Sequence, residues 1–264
     1  MRLSRFAEIA VAALIAGSCG AYLTYALLSG SALVAHGSLG RNGQALQSAV
    51  ADYISQHPNV IATALDAEQA TQAAQQQTVN AALIRTHEEE IFADKMSPTI
   101  GPAKADVVIA EFFDFRCPYC KSTAPMLEGL LRRDHHVKIV LKSLPILGPD
   151  SVYAARLGYA AARLGRFTDF YTTLYAKVPP EGDRASIDSA VRSMGLNPVT
   201  LYKQSQTRDI DAALQRDFRL ASVLGITGTP ALVVGQQLLV GAPDSDDLIA
   251  AVNAVEHKTS ANDP

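Results

Sequence analysis

The stretch VVIAEFFDFRCPYC, residues 107–120, decides the fold of this 264-residue chain. Its first half, residues 107–113, is a short and nearly continuous apolar run with β-branched and aromatic side chains. That composition is typical of a strand buried on both faces. Two cysteines separated by two residues, Cys117 and Cys120, follow almost directly. We therefore predict that the cysteine pair lies where a strand ends and a helix begins.

The residues after the pair complete a β-α-β unit. Apolar residues at helical spacing from Ala124 to Leu131 predict a helix, and residues 137–141 predict a second strand. In an α/β protein, a C-x-x-C pair at such a junction is typical of a redox site. The fold class that we predict is accordingly α/β, with a parallel pair of strands around the cysteines.

The junction also explains the chemistry. A thiolate attacks disulfides, whereas a free thiol with a pKa near ~8.5 is mostly protonated at neutral pH. A helix N-terminus directs unpaired N–H groups and the positive end of its dipole at the sulfur of Cys117. Pro118 suits the first helical turn because its missing N–H is not needed there. We predict that Cys117 is the exposed nucleophile and Cys120 the sheltered resolving thiol.

The alternative interpretation of the same pair is that it supplies half of the ligands of a zinc site. Tetrahedral zinc needs four ligands, and the sequence offers no second C-x-x-C and no His pair at ligand spacing. His135 and His136 are adjacent, so their side chains diverge on a regular strand or helix. The pattern therefore favours a redox site over a metal site, and we expect no cofactor beyond the Cys117–Cys120 disulfide itself.

The composition excludes other classes of protein. The chain is 48% hydrophobic and has a net charge of −3, so it lacks the excess of basic residues that binding to nucleic acid requires. It has only three cysteines, and Cys19 lies in the apolar N-terminal stretch. The remaining two cannot form the disulfide framework of a small secreted domain. The chain is therefore expected to fold around a hydrophobic core.

Residues 1–40 are predicted to be a signal anchor. No Asp, Glu, Lys or Arg occurs from Ile9 to Gly40, and Arg2 and Arg5 precede this stretch. An apolar helix of this length crosses ~30 Å of hydrocarbon, and basic residues before it keep the N-terminus inside. A cleaved signal peptide and lipidation at Cys19 are alternatives. Each of the three places the rest of the chain outside the cytoplasm.

Residues 41–97 are predicted to be a helical stalk. Residues 44–92 are rich in Ala and Gln, and only Pro58 interrupts the helix formers, so we expect a short helix and then a long one. The middle of the long helix has few large side chains to bury. It is either an oligomerising stalk, which makes a homo-oligomer through residues 44–92, or a solvated spacer.

A second motif lies far along the chain. Gly228-Thr229-Pro230 precedes the apolar run 231–234, and a second short strand and a closing helix follow. Pro230 is acceptable at the start of a strand. The last residues, 258–264, are predicted to be a disordered tail.

The residues Glu111–Cys120, Pro145-Ile146-Leu147-Gly148 and Gly228-Thr229-Pro230 together resemble the DsbA family of bacterial thiol oxidoreductases, and in particular its ScsC-like members with an N-terminal helical extension. The resemblance implies a thioredoxin-like fold over residues 98–257 with a helical subdomain inserted at about 150–222.

The resemblance also implies roles for individual residues. In this family the Thr-Pro bond is cis, so Thr229 and Pro230 are expected to lie against the cysteines and to bind an extended substrate. A buried acidic residue at Glu111 would shuttle the proton of Cys120. Lys142 on the next strand is a candidate partner for that carboxylate. The alternative for Glu111 is a solvent-facing position at a strand end.

Tyr119 bears on the direction of exchange. Strongly oxidising relatives have a His in the intervening dipeptide, so Tyr119 implies a weaker oxidant. The predicted function is an extracytoplasmic disulfide oxidoreductase that acts on exported client proteins with cysteines and is reset by a membrane redox partner. An isomerase or reductase that works as an oligomer is the alternative. A non-catalytic, membrane-tethered interaction protein is the alternative of another class.

Overall fold

A computed structural model describes residues 41–261 of the chain. In chain order its elements are helices α1 (Arg41–Gln56), α2 (Asn59–Thr86) and α3 (Glu88–Phe92), strands β1 (Thr99–Ile100) and β2 (Val107–Phe113), helix α4 (Pro118–Arg133), strand β3 (Val137–Ser143), helices α5 (Pro149–Arg163), α6 (Phe167–Lys177), α7 (Arg184–Ser193), α8 (Pro198–Ser205) and α9 (Arg208–Val223), strands β4 (Ala231–Val234) and β5 (Gln237–Val240), and helix α10 (Ser245–Ala261).

The five strands form one mixed sheet in the order β1-β3-β2-β4-β5. Strands β2 and β3 are parallel, with Val107 opposite Val137, and α4 makes the crossover between them. Strands β4 and β5 form an antiparallel hairpin, and β4 pairs antiparallel with β2. The central strand β2 is therefore covered on both edges and both faces, as its continuous apolar run predicts.

Each face of the sheet has its own hydrophobic core. On the first face Ile109 and Phe113 of β2 pack with both cysteines of the C-x-x-C pair, with α4 and with helices of the segment between β3 and β4. On the second face Ala110 and Phe112 pack with residues of α2, α3 and α9. The side chains of successive residues of β2 thus pack in opposite cores, as expected because side chains alternate between the two faces of a strand.

Five helices, α5 to α9, lie between β3 and β4. Tyr171 and Leu174 of α6 and Ile187 of α7 are fully covered and belong to the first core. Of these five inserted helices, α6 and α7 therefore pack against the same face of the sheet as the cysteine pair. This arrangement is the thioredoxin-like α/β fold with added helices that the resemblance implies.

The described chain divides into two units at Gln69, within α2. The break between α1 and α2 lies beside Pro58, as predicted from the sequence. Upstream of Gln69 the side chains are exposed. Downstream, Ile84 of α2 and Ile91 of α3 are buried in the second core of the thioredoxin-like unit. The boundary that we placed after residue 97 therefore falls inside that unit, because these apolar side chains cover one face of the sheet.

The two ends of the chain lie at the limits of the description. The predicted anchor, residues 1–40, is outside the described residues. Among residues 41–261 no helix combines the length and the apolar composition needed to cross a membrane. Helix α10 extends to Ala261, so the predicted disorder does not hold for residues 258–261. No Gly or Pro, the strongest helix breakers, occurs among these four residues.

Candidate active site

The cysteine pair lies at the start of α4, as the sequence predicts. Cys117 has an extended backbone and is the residue before the helix, and Pro118 is its first residue. Tyr119 points outward and is 65% exposed. Both cysteines are free thiols. The junction places Cys117 at the N-terminus of the helix. Cys120 lies in the first turn of the helix and is buried.

Cys117 is less exposed than we predicted. Its side chain is only 4% exposed, compared with 0% for Cys120. The reason is the distant Gly228-Thr229-Pro230 loop, which covers the sulfur: Cys117 Sγ lies 3.1 Å from the carbonyl oxygen of Thr229, to which the thiol donates. Cys117 is still the more accessible of the two sulfurs, but a reaction partner must approach it past this loop.

Hydrogen bonds make Cys117 the acidic thiol. The Cys120 thiol, the Thr229 side chain and the backbone N–H groups of Tyr119 and Cys120 all stabilise its charged form. The bond from Cys120 is the largest of these effects, and together they outweigh burial and lower the pKa of Cys117 to about 6. The thiolate is therefore the major form at neutral pH, which is what a nucleophile in disulfide exchange requires.

Cys120 has the opposite character. Burial raises the pKa of its thiol far above the usual range, and the hydrogen bond to Cys117 and the negative charge of Glu111 raise it further. Cys120 therefore holds its proton when Cys117 has lost its own. A thiol of this kind needs an adjacent acid or base to exchange a proton during the reaction.

Glu111 is a buried carboxyl group whose charge acts on Cys120. It lies on β2, is 0% exposed, and shares a strand face with Ile109 and Phe113. The alternative of a solvent-facing side chain is therefore wrong. Its Oε2 accepts a hydrogen bond from the hydroxyl of Tyr171 at 3.0 Å, and Oε1 has no hydrogen-bond partner in the described chain. Burial raises the pKa of Glu111 to about 8, against the opposing effect of the Tyr171 bond.

Lys142 does not partner Glu111, so that prediction is wrong. In the parallel register Lys142 lies opposite Phe112, whereas Glu111 lies opposite Leu141. Neighbouring residues of a strand face opposite sides, so the two side chains are separated by the sheet.

On the second face of the sheet Lys142 holds the segment before β1. Its Nζ donates to the carbonyl oxygen of Glu90 at 2.6 Å and to Ser97 Oγ at 2.8 Å. The carboxylates of Asp94 and Asp217 lie 3.5 and 3.8 Å from the same nitrogen. Lys142 is therefore a structural cation of the second core.

The Thr229–Pro230 peptide bond is cis, as the resemblance implies. Pro230 is buried directly before β4, and Thr229 is half-buried beside the cysteines. A side-chain carbon added at Gly228 would meet nothing within 4 Å, so the loop is open on that side. The backbone of this loop is thus accessible beside Cys117, where an extended chain can approach.

Sequence reasoning missed two parts of the site. Asp114 fixes the active-site loop: its carboxylate accepts the N–H groups of Arg116 and Leu147 at 2.9 and 3.0 Å. Tyr171 binds Glu111 from α6, sixty positions along the chain. The only signal for Tyr171 was the helical pattern around it, which gives no indication of its contact. Within residues 41–261 no three His, Cys, Asp or Glu side chains are grouped as metal ligands.

Comparisons with known proteins agree with this geometry. The catalytic domain of Proteus mirabilis ScsC is 31% identical, with a TM-score of 0.60, over 66% of this chain and 97% of that one. A periplasmic thioredoxin-like protein from Salmonella enterica serovar Typhimurium is 32% identical, with a TM-score of 0.58, over 64% of this chain and 94% of that one. The thiol:disulfide interchange protein DsbA of Bordetella parapertussis is 25% identical over 142 residues, 52% of this chain and 66% of that protein.

Other relatives are much longer than the matched segment. The chain spans only 24% of the length of two Na⁺/H⁺ antiporters, NhaA 3 of Salinispora tropica and NhaA 1 of Salinispora arenicola. Residues 108–253, more than half of the chain, match the DSBA-like thioredoxin domain. The resemblance noted in the sequence is thus confirmed, and the chain belongs to the DSBA-like thioredoxin-domain family.

Proposed function

We propose that the protein exchanges disulfides with exported client proteins through Cys117 and Cys120. The observation that carries the proposal is the contrast between the two thiols. Cys117 has a pKa lowered to about 6 at a helix N-terminus, while burial raises the pKa of Cys120 beside a buried carboxyl group. One sulfur is suited to attack or to leave as a thiolate, and the other is suited to close or to release the internal disulfide.

In the oxidising direction the reaction starts from the Cys117–Cys120 disulfide. A client thiolate attacks the sulfur of Cys117, the internal S–S bond breaks, and Cys120 leaves as a thiolate that takes the proton of Glu111. A second client thiolate then attacks the client sulfur of the mixed disulfide, and Cys117 leaves as a thiolate. The client has lost two electrons and gained a disulfide, and the protein has become the dithiol.

The client is proposed to lie along the Gly228-Thr229-Pro230 loop. The half-buried backbone of Thr229 beside Cys117, and the open space above Gly228, support strand-like pairing with an extended client chain. A membrane redox partner that carries a disulfide is proposed to reset the dithiol by the reverse steps.

The location that we propose is a bacterial periplasm, with residues 1–40 as a tether to the inner membrane or as a cleaved leader. The support is the uncharged stretch from Ile9 to Gly40 behind Arg2 and Arg5. The periplasmic thioredoxin-like relative from Salmonella enterica agrees with this location.

Isomerisation or reduction by an oligomer is the second candidate. It is favoured by exposed apolar side chains on α1: Leu46, Val50 and Tyr53 are each at least half exposed. They recur at three- and four-residue spacing and so lie on one side of the helix. A second copy of the chain would cover them. A shared stalk would present several active sites to one misfolded client.

The test is disulfide exchange by the full-length chain with a reduced peptide substrate. Cys117→Ser is expected to abolish exchange. Cys120→Ser, given a disulfide-bonded form of the peptide, should attack it through Cys117 and trap the mixed disulfide, because no resolving thiol remains. Exchange that survives Cys117→Ser would overturn the assignment. A wild-type chain that exchanges nothing would favour the non-catalytic, tethered interaction protein.

Equilibrium redox titration against glutathione, with the mass of the protein measured in solution, distinguishes an oxidase from an isomerase or reductase. A reducing potential in an oligomer would support the isomerase or reductase, and a more oxidising potential in a monomer would support the oxidase. Leu46→Gln with Val50→Gln is expected to shift an oligomer toward the monomer without changing the chemistry at Cys117.

A further inference from the structure

Helix α6, one of the inserted helices, places the hydroxyl group of Tyr171 in the same core as the two cysteines. Tyr171 is 2% exposed, and its hydroxyl donates to Glu111 Oε2 at 3.0 Å. Because Oε1 has no hydrogen-bond partner in the part of the chain described, this is the one direct bond that the structure gives the carboxyl group there. A buried carboxyl group with a single donor depends on that donor for both its orientation and its charge.

The ring of Tyr171 is fixed by its aromatic neighbours. It packs edge-on against Tyr175 at 4.7 Å and against Phe113 at 5.8 Å between ring centroids, and Phe115 lies 6.3 Å away. Edge-on contacts of this kind hold a ring in one orientation. The hydroxyl is therefore positioned by the aromatic side chains of the first core.

Among the described residues, the groups around Glu111 offer no replacement for this hydroxyl. The strands on either side of β2 place Leu141 and Leu232 opposite Glu111. Cys117, directly before α4, and Cys120, within it, interact electrostatically with its carboxyl group. From α6, Tyr171 and Tyr175 interact with it. Each of these titratable groups is neutral or negative, and Lys142 lies on the other face of the sheet.

We propose that Tyr171 is a positioning residue for disulfide exchange, which holds the Glu111 carboxyl group toward Cys120 and stabilises the carboxylate that remains once the proton has moved to Cys120. The inference rests on the proposed function. It gives the inserted helices a part in the chemistry in addition to covering the sheet.

The proton balance shows where the hydroxyl acts. When the internal disulfide opens, Cys120 takes the proton of Glu111, and the Tyr171 O–H donates to the carboxylate so formed. When the disulfide closes, that carboxylate takes the proton back and the Cys120 thiolate attacks the sulfur of Cys117 in the mixed disulfide, which releases the partner thiolate. Loss of the hydroxyl leaves the carboxylate without a donor in both directions.

The test is Tyr171→Phe in the full-length chain. The pKa of Glu111 is already raised by burial, and the Tyr171 bond opposes that rise. A hydrogen bond to a charged group is worth roughly one to two pKa units, so the variant should move the pH midpoint of reoxidation by oxidised glutathione upward by about one unit. The rate at pH 7 should fall severalfold. Isotope-edited infrared spectroscopy of labelled Glu should show the same shift in the carboxyl band.

Tyr159→Phe is the matched control. Tyr159 is also buried and donates its hydroxyl to a buried carboxylate, that of Asp217, away from the cysteines. It should cost similar stability and leave the pH midpoint unchanged. In a Glu111→Gln background, Tyr171→Phe should produce no further shift.

An unchanged midpoint and infrared band in Tyr171→Phe would overturn the inference, and Tyr171 would then be core packing only. An equal shift in Tyr159→Phe would overturn it too. Failure of the proposed function gives a different result, because the wild type would then exchange no disulfide at any pH. The infrared titration would in that case still show whether the hydroxyl stabilises the carboxylate, but its part in the exchange would be refuted.

Discussion

Because Glu111 is buried, we predict how the free energy of unfolding of this protein depends on pH. Burial raises the pKa of its carboxyl group from 4.5 to about 8 in the folded protein. The folded state therefore holds this proton more tightly than the unfolded state. The stability that the proton contributes is complete below pH 4.5 and is lost as the pH rises through about 8. Glu111→Gln removes this dependence because its amide does not titrate.

The size of the effect follows from the two pKa values. At about 1.4 kcal/mol per unit, ionisation of Glu111 in the unfolded chain lowers the free energy of unfolding by about 1 kcal/mol at pH 5 and about 3 kcal/mol at pH 7. The wild type should therefore lose about 2 kcal/mol relative to Glu111→Gln between these two pH values. The amide has its own cost of burial, but that cost is the same at both pH values.

The assay is urea unfolding of both proteins at pH 5, 6 and 7 with the cysteines kept reduced. Other buried acids, such as Asp217, are present in both proteins and cancel in the difference. Glu181→Gln, at an exposed position, serves as the control and should follow the wild type at every pH. A difference between wild type and Glu111→Gln that stays constant from pH 5 to pH 7, within the error of the extrapolation, would refute a buried acid at this position.

Three further predictions concern other parts of the molecule. Ultraviolet titration of the Cys117 thiolate should give a midpoint near pH 6, and a midpoint above pH 8 would contradict the hydrogen bonds assigned to it. Lys142→Met should lower the free energy of unfolding by about 3–5 kcal/mol, because the buried Asp217 loses the cation 3.8 Å away, whereas Asp94 keeps Arg216, yet leave the redox potential unchanged; a loss below about 1 kcal/mol would contradict this role. Gly158→Ala places a carbon 3.1 Å from the Phe115 ring and should cost about 1–3 kcal/mol in urea unfolding relative to Gly129→Ala, whose nearest contact is at 3.6 Å and which should stabilise its helix by up to about 1 kcal/mol; equal effects would refute the packing argument.

Much of the active site could be predicted because its signals are local. The strand from Val107, the helix that starts at Pro118 and the break at Pro58 follow from patterns within a few residues, and each appears in the structure. The face of Glu111 follows from strand alternation alone. The cis bond before Pro230 came from the family resemblance, because nothing in the spacing of the residues indicates it.

The errors concern contacts between distant segments. We paired Lys142 with Glu111 because their strands are neighbours, but the register places Phe112 opposite Lys142 and so separates the two charges by the sheet. Cys117 was expected to be exposed, and a loop more than a hundred residues away covers it. Neither the register between strands nor the docking of a loop is visible in a single sequence.

The sequence by itself determined the chemistry of this protein: two thiols at a strand-to-helix junction, one proline-containing loop and one acidic residue on the strand before them. The tertiary structure decided how these groups are tuned. It brought Thr229 to the sulfur of Cys117, buried Glu111 with no cation beside it among the described residues, and supplied the hydroxyl of Tyr171 from the inserted helices. The physical reason is that residue type sets which protons and electrons can move, whereas burial and hydrogen bonding, which depend on the whole fold, set the pKa at which they do so.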